Sequence, residues 1–381
     1  MADVEIIERS EEPVAETSEQ ERIYVASQWQ LMWWRFRKHR LAVISSILII
    51  CLYFVAIFCE FIAPYDPSKR DAKYVHTPPQ MIHFVGEDSF TLRPFVYGIE
   101  GRRDPETFRM LFEIDKTQTY PIRFFAHRDP YEFWGLFETD LHLFGLGDDE
   151  GVFFMLGSDR MGRDMLSRVI YGSRISLSIG LIGVIFSFLL GIIIGGASGY
   201  FGGIVDLIVQ RVIEFLRSIP TIPLWMTLAA AMPKDWPPTR VYFGITIILS
   251  LVSWTSLARV VRGKFISLRN EDFVLAARLS GSSEFRIITR HLVPSFMSYL
   301  IARLTMAIPN MILSETSLSF LGLGLRPPVI SWGVLLQEAQ NLHSVALAPW
   351  LLLPGVLVVI TVLCLNFMGD GLRDAADPYA R

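Results

Sequence analysis

Long apolar runs separated by polar segments dominate the chain and predict membrane-spanning helices. The first run, residues 41–62, reaches roughly 33 Å at about 1.5 Å per helical residue, enough to cross the hydrocarbon core of a bilayer. Pro220 and Pro223 interrupt a later run, where we expect a broken helix. The pattern predicts an all-α polytopic membrane protein with six transmembrane helices. The five spans after the first are assigned to residues 176–196, 207–232, 241–261, 296–318 and 347–368.

Charged residues beside the spans predict how the chain is oriented in the membrane. Residues 1–40 begin with an acidic stretch, which predicts a disordered tail, and end in Trp-rich and Arg-rich sequence. The latter is typical of an interfacial helix, with a simple anchor for the first span as the alternative. The basic residues just before the first span place the N terminus in the cytoplasm, and six spans place the C terminus on the same side. The loop at 262–294 is then cytoplasmic too, and its excess of Arg over acidic residues agrees with that side.

Residues 63–172 separate the first two spans and contain no apolar run long enough to cross a membrane. Pro, Asp, Arg and aromatic residues are frequent here and carry strand and turn signals, so we expect a folded extracytoplasmic segment. Residues 173–375 then form the membrane core that contains spans two to six.

Composition narrows the class of protein further. Of the 381 residues, 51% are hydrophobic and only 19% are charged, against about 25% in soluble domains. The formal net charge of −3 gives no basic surface, so a nucleic-acid partner is not expected. Cys51, Cys59 and Cys364 lie in apolar runs without zinc-ligand spacing, so neither a metal nor another cofactor is expected. The single Gly-Lys pair, Gly263-Lys264, lacks the rest of a P-loop, so this chain does not bind ATP by that motif.

The loop at 262–294 contains a short apolar helix that the sequence delimits on both sides. Asn270 or Asp272 can cap its start, and Gly281 can end it in a left-handed conformation. Ser283 can then begin a second helix, and Pro294 marks the entry to span five. A short surface helix has little reason to carry apolar side chains unless it docks into another protein.

Two ionisable residues in span five are candidates for the transport pathway. Arg303 and Glu315 are separated by more than three helical turns, so they cannot pair with each other. We assign Glu315 to the outer pathway or gate, with an interhelical ion pair as the alternative, and keep Arg303 as a second pathway candidate. Glycines at four-residue intervals in and after span two allow close helix packing, and a sliding surface is the alternative use.

Four motifs resemble those of a known family. The first is Leu275-Ala276-Ala277 followed by Gly281 and then by His291-Leu292-Val293-Pro294, which resembles the EAA loop of binding-protein-dependent ABC importer permeases. Three further segments resemble the C-type permease of dipeptide and oligopeptide importers: GSDRMGRD at 157–164, SLSFLGLG at 317–324 and GDGLRDA at 369–375.

The resemblance implies a type I ABC importer permease of the bacterial inner membrane. Such a subunit forms half of a channel with a second, similar permease subunit, contacts two ABC ATPases and receives solute from an extracytoplasmic binding protein. It is not itself an enzyme. Short peptides are the implied solute, with oligosaccharides, opine-like compounds and nickel complexes as alternatives. The residues implied in coupling to the ATPases are Asp272, Ala276, Ala277, Gly281, His291 and Pro294.

Two departures from the family pattern stand out. Leu275 occupies the position where the family loop usually begins with Glu, and residues 67–151 are much longer than the usual linker. Two other classes of membrane protein fit the sequence less well. A membrane-embedded hydrolase lacks its expected motifs here, and an ion-driven secondary transporter predicts repeated halves that are not evident.

Overall fold

The computed structural model describes residues 27–85, 90–103, 105–106, 110–146, 151–233 and 235–376. The acidic tail expected within residues 1–26 lies outside these residues. So does the acidic run at 148–150, for which the sequence predicts an exposed turn, with a calcium-binding turn as the alternative.

The first two helices begin at caps that the local sequence supplies. Helix α1, Gln28–Lys38, begins with a capping box, in which the Ser27 and Gln30 side chains each accept a hydrogen bond from the other residue's backbone N–H. This is the helix predicted for the end of the N-terminal segment. His39 separates it from α2, Arg40–Ile57, the first apolar span, and a short helix α3, Cys59–Ile62, follows.

Three further helices are long and apolar enough to cross a membrane. They are α4, Met165–Phe201, α7, Pro238–Leu268, and the last helix α14, Leu353–Ala376, which extends a short 3-10 turn at Pro349–Leu352. Asp164 caps α4: its carboxylate accepts hydrogen bonds from the Ser167 backbone N–H at 2.7 Å and from the Ser167 hydroxyl at 2.6 Å. Burial of Asp164 raises the pKa of its carboxyl to about 6.

The third predicted span is divided in the structure. Helix α5, Gly203–Ser218, carries four charged residues and ends just before Pro220. Pro220 is the N-cap of the short apolar helix α6, Thr221–Ala230. The fifth predicted span, α11 at Met297–Phe320, meets the preceding helical segment Glu284–Ser295 at a bend of 72°. The described residues therefore contain four spans by length and composition, or five if the bent pair counts as one, and the six predicted from the sequence are not reached.

Short helices occupy the loops on either side of α11. Before it lie α8 at Asp272–Leu279, α9 at Glu284–Ile287, a π-helical turn at Ile288–Leu292 and α10 at Val293–Ser295. After it lie α12 at Trp332–Glu338 and α13 at Leu342–Leu347.

The segment between the first two spans is a four-stranded antiparallel sheet in the order β1-β2-β3-β4. Its strands are β1 at His83–Val85, β2 at Phe90–Arg103, β3 at Met110–Phe133 and β4 at Phe137–Leu146. A small core of Tyr65, Val96, Ile122, Leu146 and Phe153 lies beneath it. The strand signals in this segment are confirmed, and the all-α class is wrong here, because these residues pair across strands.

The membrane helices pack around α4, which contacts α7 most extensively and α11 and α2 as well. Glycines on one face of α4 allow this approach: a Cβ added at Gly195 would lie 2.4 Å from the Ala258 carbonyl oxygen, and one at Gly199 would lie 2.6 Å from the Arg262 carbonyl oxygen. The glycines of α4 therefore allow close packing against α7.

Candidate functional site

Helix α8 presents two different faces, one packed and one bare. Val274 is fully buried in a cluster with Tyr200, Phe265 and Ile287, at the ends of α4 and α7. On the other side, Leu279 is 90% exposed and Leu275 is 41% exposed, and Phe285 on α9 is 77% exposed. The helix is thus held from behind, while its apolar outer face is left open within the described part of the chain.

The two ends of α8 are built from backbone hydrogen bonds. Glu271 is the N-cap and its side chain makes no capping bond, so the expected caps at Asn270 and Asp272 are wrong; the Glu271 carbonyl instead accepts from Val274 N at 2.9 Å. At the other end Gly281 has φ +74°, as predicted.

The turn after α8 is a Schellman motif. The Gly281 N–H donates to the Arg278 carbonyl at 3.0 Å, and the Ser282 N–H donates to the Ala277 carbonyl at 3.1 Å. These bonds satisfy the last carbonyls of the helix and require a left-handed residue at position 281.

A side-chain network that sequence reasoning missed joins α8 and α9 to the end of α4. The Tyr200 hydroxyl donates to the Glu284 carboxylate and accepts from Arg278 Nη2 at 3.0 Å, while the Arg278 guanidinium lies 5.9 Å from the Tyr200 ring centroid. Arg269 Nη1 donates to the Gly199 carbonyl at 3.2 Å and so caps α4. The partners in each of these hydrogen bonds are 70 or more positions apart in the chain, so no local sequence pattern relates them.

A second anchor ties the end of α7 to the start of α5. Arg262 donates two hydrogen bonds to the Asp206 carboxylate, Nε to Oδ1 at 2.5 Å and Nη2 to Oδ2 at 2.6 Å, and Ser198 on α4 donates to Asp206 Oδ1 at 2.5 Å. Such paired geometry fixes orientation as well as distance. Helices α4, α5 and α7 are therefore joined at the end where α8 packs.

The remaining predicted loop residues lie on these short elements. Asp272 and Ala276 are exposed on α8, and Ala277 is half-buried beneath them. His291 is half-buried in the π-helical turn, and Pro294 is exposed in α10, just before the 72° bend into α11. The predicted residues thus occupy one continuous loop between α7 and α11.

An open cavity of about 650 Å³ lies among α4, α5, α6, α7 and α11. Its wall contains two arginines, Arg217 and Arg303, together with Asn310 and the aromatic side chain of Trp225. None of the described lining residues is acidic, and neither guanidinium is ion-paired within the described part of the chain. The structure therefore places the sequence candidate Arg303 on a cavity wall and adds Arg217 to it.

Glu315 lies elsewhere, inside the packing of α4, α11 and α12. It is fully buried, and its carboxylate accepts hydrogen bonds from Ser176 Oγ at 3.3 Å, from Ser319 Oγ at 2.8 Å and from Ser331 Oγ at 2.8 Å. It is not among the residues that line the cavity, and within the described residues no cation pairs with it. Neither the gate assignment nor the interhelical ion pair describes this arrangement, in which Glu315 joins three helices.

The serines around Glu315 also hold backbone groups. Ser176 Oγ accepts from Trp332 N at 3.1 Å, and Ser331 Oγ accepts from Val334 N at 3.2 Å, so that Ser331 caps α12. This is a structural network and contains no group arranged for catalysis. Across the residues that the structure describes, no three His, Cys, Asp or Glu side chains converge as metal ligands.

These features define a polytopic membrane protein with a helical loop exposed at one end of its bundle and an open cavity, lined by apolar side chains and two arginines, among its helices. Residues 157–381 match the family model of the binding-protein-dependent transport system inner membrane component. Residues 27–79 match the N-terminal transmembrane domain of oligopeptide transport permease C. The chain therefore belongs to the binding-protein-dependent permease family of ABC transporters, and the resemblance to C-type permeases is confirmed.

Similar proteins include permeases of peptide transport systems. The oligopeptide transport system permease protein OppC of Escherichia coli (strain K12) is 39% identical over 250 residues, covering 64% of this chain and 78% of that one. The dipeptide transport system permease protein DppC of Bacillus subtilis (strain 168) is 37% identical over 227 residues, covering 59% and 68%.

A longer match is to the dipeptide transport system permease protein DppC of Lactococcus lactis subsp. cremoris, which is 29% identical over 359 residues and covers 92% of this chain and 91% of that one. Among solved structures, the inward-facing MetNI methionine ABC transporter is 20% identical with a TM-score of 0.43, covering 55% of this chain and 97% of that chain.

Proposed function

We propose that this chain is one permease subunit of an ATP-driven importer of short peptides in the bacterial inner membrane. The family match and the peptide permeases among its relatives support this proposal. In it, a second permease subunit completes the channel, two ABC ATPases supply the energy, and an external binding protein delivers the peptide. The subunit itself hydrolyses nothing.

The observation that carries the proposal is the two-faced helix α8. Its outer face exposes Leu275 and Leu279, while Val274 behind it is fully buried against the ends of the long helices. An ATPase that grips the outer face can therefore push or pull the bundle without first deforming the loop. In this proposal α8 lies in the cytoplasm, both termini lie on that side, and the sheet lies on the outer side.

Transmission of this movement runs through the polar contacts behind α8. Arg278 and Glu284 hold the Tyr200 hydroxyl, and Arg269 holds the last carbonyls of α4. A displacement of α8 toward or away from the bundle thus acts on the end of α4. We assign this step to the switch between inward-facing and outward-facing states, which ATP binding biases by its preference for one of them.

The peptide pathway is assigned to the cavity among α4, α5, α6, α7 and α11. Arg217 and Arg303 give its wall positive charge without a local carboxylate among the described lining residues, and Asn310 offers an amide. A short peptide carries a terminal carboxylate that guanidinium groups bind well. The two arginines would form charge-assisted hydrogen bonds with the carboxylate and so replace its water shell while the peptide crosses the membrane.

Crosslinking tests the contact with the ATPases. In the full complex, with native cysteines replaced, Leu279→Cys should crosslink to an ATPase subunit, whereas Leu111→Cys on β3, which is 53% exposed, serves as the control and should not. Crosslinks that form equally at both positions, or at neither, would overturn the assignment of α8. Uptake of radiolabelled peptide, measured with and without ATP in proteoliposomes, tests the energy source.

Matched peptides test the pathway assignment. Arg303→Gln should slow uptake of a peptide with a free carboxyl terminus more than uptake of its amidated form, and Arg303→Lys should retain part of that difference. Equal loss for both peptides would contradict a role in carboxylate passage.

A further inference from the structure

A row of aromatic side chains runs from the first span onto the tip of the β3–β4 hairpin. Ring centroids are 4.6 Å apart for Phe54 and Phe58, 6.2 Å for Phe58 and Phe133, and 5.5 Å for Phe133 and Phe137. Phe54 belongs to the exposed face of α2, and Phe137 begins β4. The apolar surface of the span thus continues without a break onto the sheet.

The hairpin tip is fastened to the end of α2. Trp134 Nε1 donates to the Ile57 carbonyl at 3.0 Å, and Arg174 Nη2 donates to the same carbonyl at 2.9 Å. The Arg174 guanidinium also lies 5.3 Å from the Trp134 ring centroid and pairs with Glu60. The polar end of the indole is therefore satisfied, and the tip has a fixed height relative to the span.

Beyond these contacts the tip is apolar and bare. Leu136 is 80% exposed, Phe137 58% and Trp134 56%. Such exposed apolar groups in adjacent positions mark an interaction surface.

The height of the tip coincides with a membrane boundary. Helix α2 has 18 residues, which at about 1.5 Å each span roughly 27 Å, close to the thickness of the hydrocarbon core. Arg40 at one end therefore lies near one boundary, and Ile57, which holds Trp134, lies near the other. Trp and other aromatic side chains are the residues that membrane proteins concentrate at this level, with charged groups such as the Arg174–Glu60 pair beside them.

We propose that the β3–β4 hairpin tip inserts Leu136, Phe137 and the exposed part of Trp134 into the headgroup–acyl boundary of the bilayer beside α2. The occupant of this surface is lipid, because the aromatic row is continuous with the exposed apolar face of a membrane span and ends at the height of the lipid boundary. The sheet is consequently seated on the membrane at a second point besides its covalent connections. This inference does not depend on the transported solute or on which side the sheet faces.

Nitroxide accessibility tests the insertion in the full transporter, reconstituted in liposomes of phosphatidylethanolamine and phosphatidylglycerol. Cys51, Cys59 and Cys364 are replaced by Ala, and one new cysteine is labelled, either Leu136→Cys or Phe137→Cys. The matched control is Ile114→Cys, whose native side chain is 65% exposed on β3, away from the tip. Two collision reagents are compared: oxygen, which partitions into lipid, and a water-soluble nickel chelate.

We expect oxygen to dominate at positions 136 and 137 and the nickel chelate to dominate at position 114. Dominance of the chelate at both tip positions would place the hairpin in water and overturn the proposal. Protection from both reagents at the tip would identify a protein contact instead and would overturn it equally. Peptide uptake measured on the same liposomes reports separately on the proposed transport function.

Discussion

Replacing Gly281 tests whether the exact ending of α8 matters for coupling. Its φ of +74° lies in the left-handed region, which costs a residue with a Cβ roughly 1–2 kcal/mol and a β-branched residue more. No described atom lies within 4 Å of the position that a Cβ would occupy, so the cost of Gly281→Val is conformational and not steric. A helix of eight residues is marginal by itself. A loss of this size lowers the ratio of native to non-native helix endings by roughly 5- to 30-fold.

The assay compares three variants in proteoliposomes that contain the full transporter. Gly281→Val should lose most peptide uptake and most stimulation of ATP hydrolysis by the loaded binding protein. Gly281→Asn should retain much more of both, because Asn tolerates the left-handed region, and Gly281→Ala should fall between them. Binding of peptide to the external protein should be unchanged in all three.

The result that would refute this reasoning is normal uptake with normal ATPase stimulation in Gly281→Val. Equal loss in the Val and Asn variants would also contradict it, since the two differ in their tolerance of positive φ. Thermal unfolding of the detergent-solubilised chain provides the control. The change lies at the surface, so the melting temperature should move by only a few degrees.

Substitutions at three further sites, Glu315, Gly195 and Asp164, have defined expected outcomes. Glu315→Gln should leave the uptake of charged peptides and of neutral peptides unchanged, and altered charge selectivity in this variant would count against the buried network. Glu315→Ala should lower the unfolding free energy by about 1–3 kcal/mol, because buried hydroxyls lose their acceptor. Gly195→Val should destabilise the bundle by about 3 kcal/mol or more, since its Cβ meets a backbone carbonyl at 2.4 Å. Gly263→Ala, with no described atom within 4 Å, is its neutral control. The native chain should lose stability relative to Asp164→Asn as the pH rises from about 4 to above 6, by up to about 3 kcal/mol. The reason is that the raised pKa of about 6 makes ionisation of Asp164 costly in the folded state, whereas Asn does not ionise. A difference in melting temperature between the two chains that stays constant across this pH range would contradict the assignment.

The sequence was sufficient for features that depend on local order along the chain. Hydropathy located the first, second, fourth and last spans, because a helix with an apolar run of that length is stable only within the hydrocarbon core of a membrane. The left-handed Gly281 followed from a glycine placed just after a short helix. Strand signals within residues 63–172 were sufficient to predict strands, although not their pairing.

Other features depend on contacts between distant positions and could not be read from local pattern. Glu315 looked like a pathway residue because an intramembrane carboxylate needs a partner, and sequence order does not show that Ser176 and Ser331 supply one. The third span was expected to be broken at Pro220 and Pro223, and the structure has a break before Pro220. Its apolar content is high, but the charges of α5 and the break before Pro220 divide it into two helices, α5 and α6, and α6 is too short to span alone.

The glycine stripe of α4 serves close helix packing in this structure. Gly195 and Gly199 face the backbone of α7 so closely that a Cβ at either position would lie less than 3 Å from a carbonyl oxygen, so this contact requires glycine at both positions. Beyond the stripe, the Arg262–Asp206 pair joins α7 to α5, and Ser198 on α4 donates to the same carboxylate. Under the proposed function, we therefore expect a force applied at α8 to move α4, α5 and α7 together. The change between transport states is then expected at looser contacts, such as those between α7 and α11, which border the open cavity and pack much less extensively than α4 and α7 do.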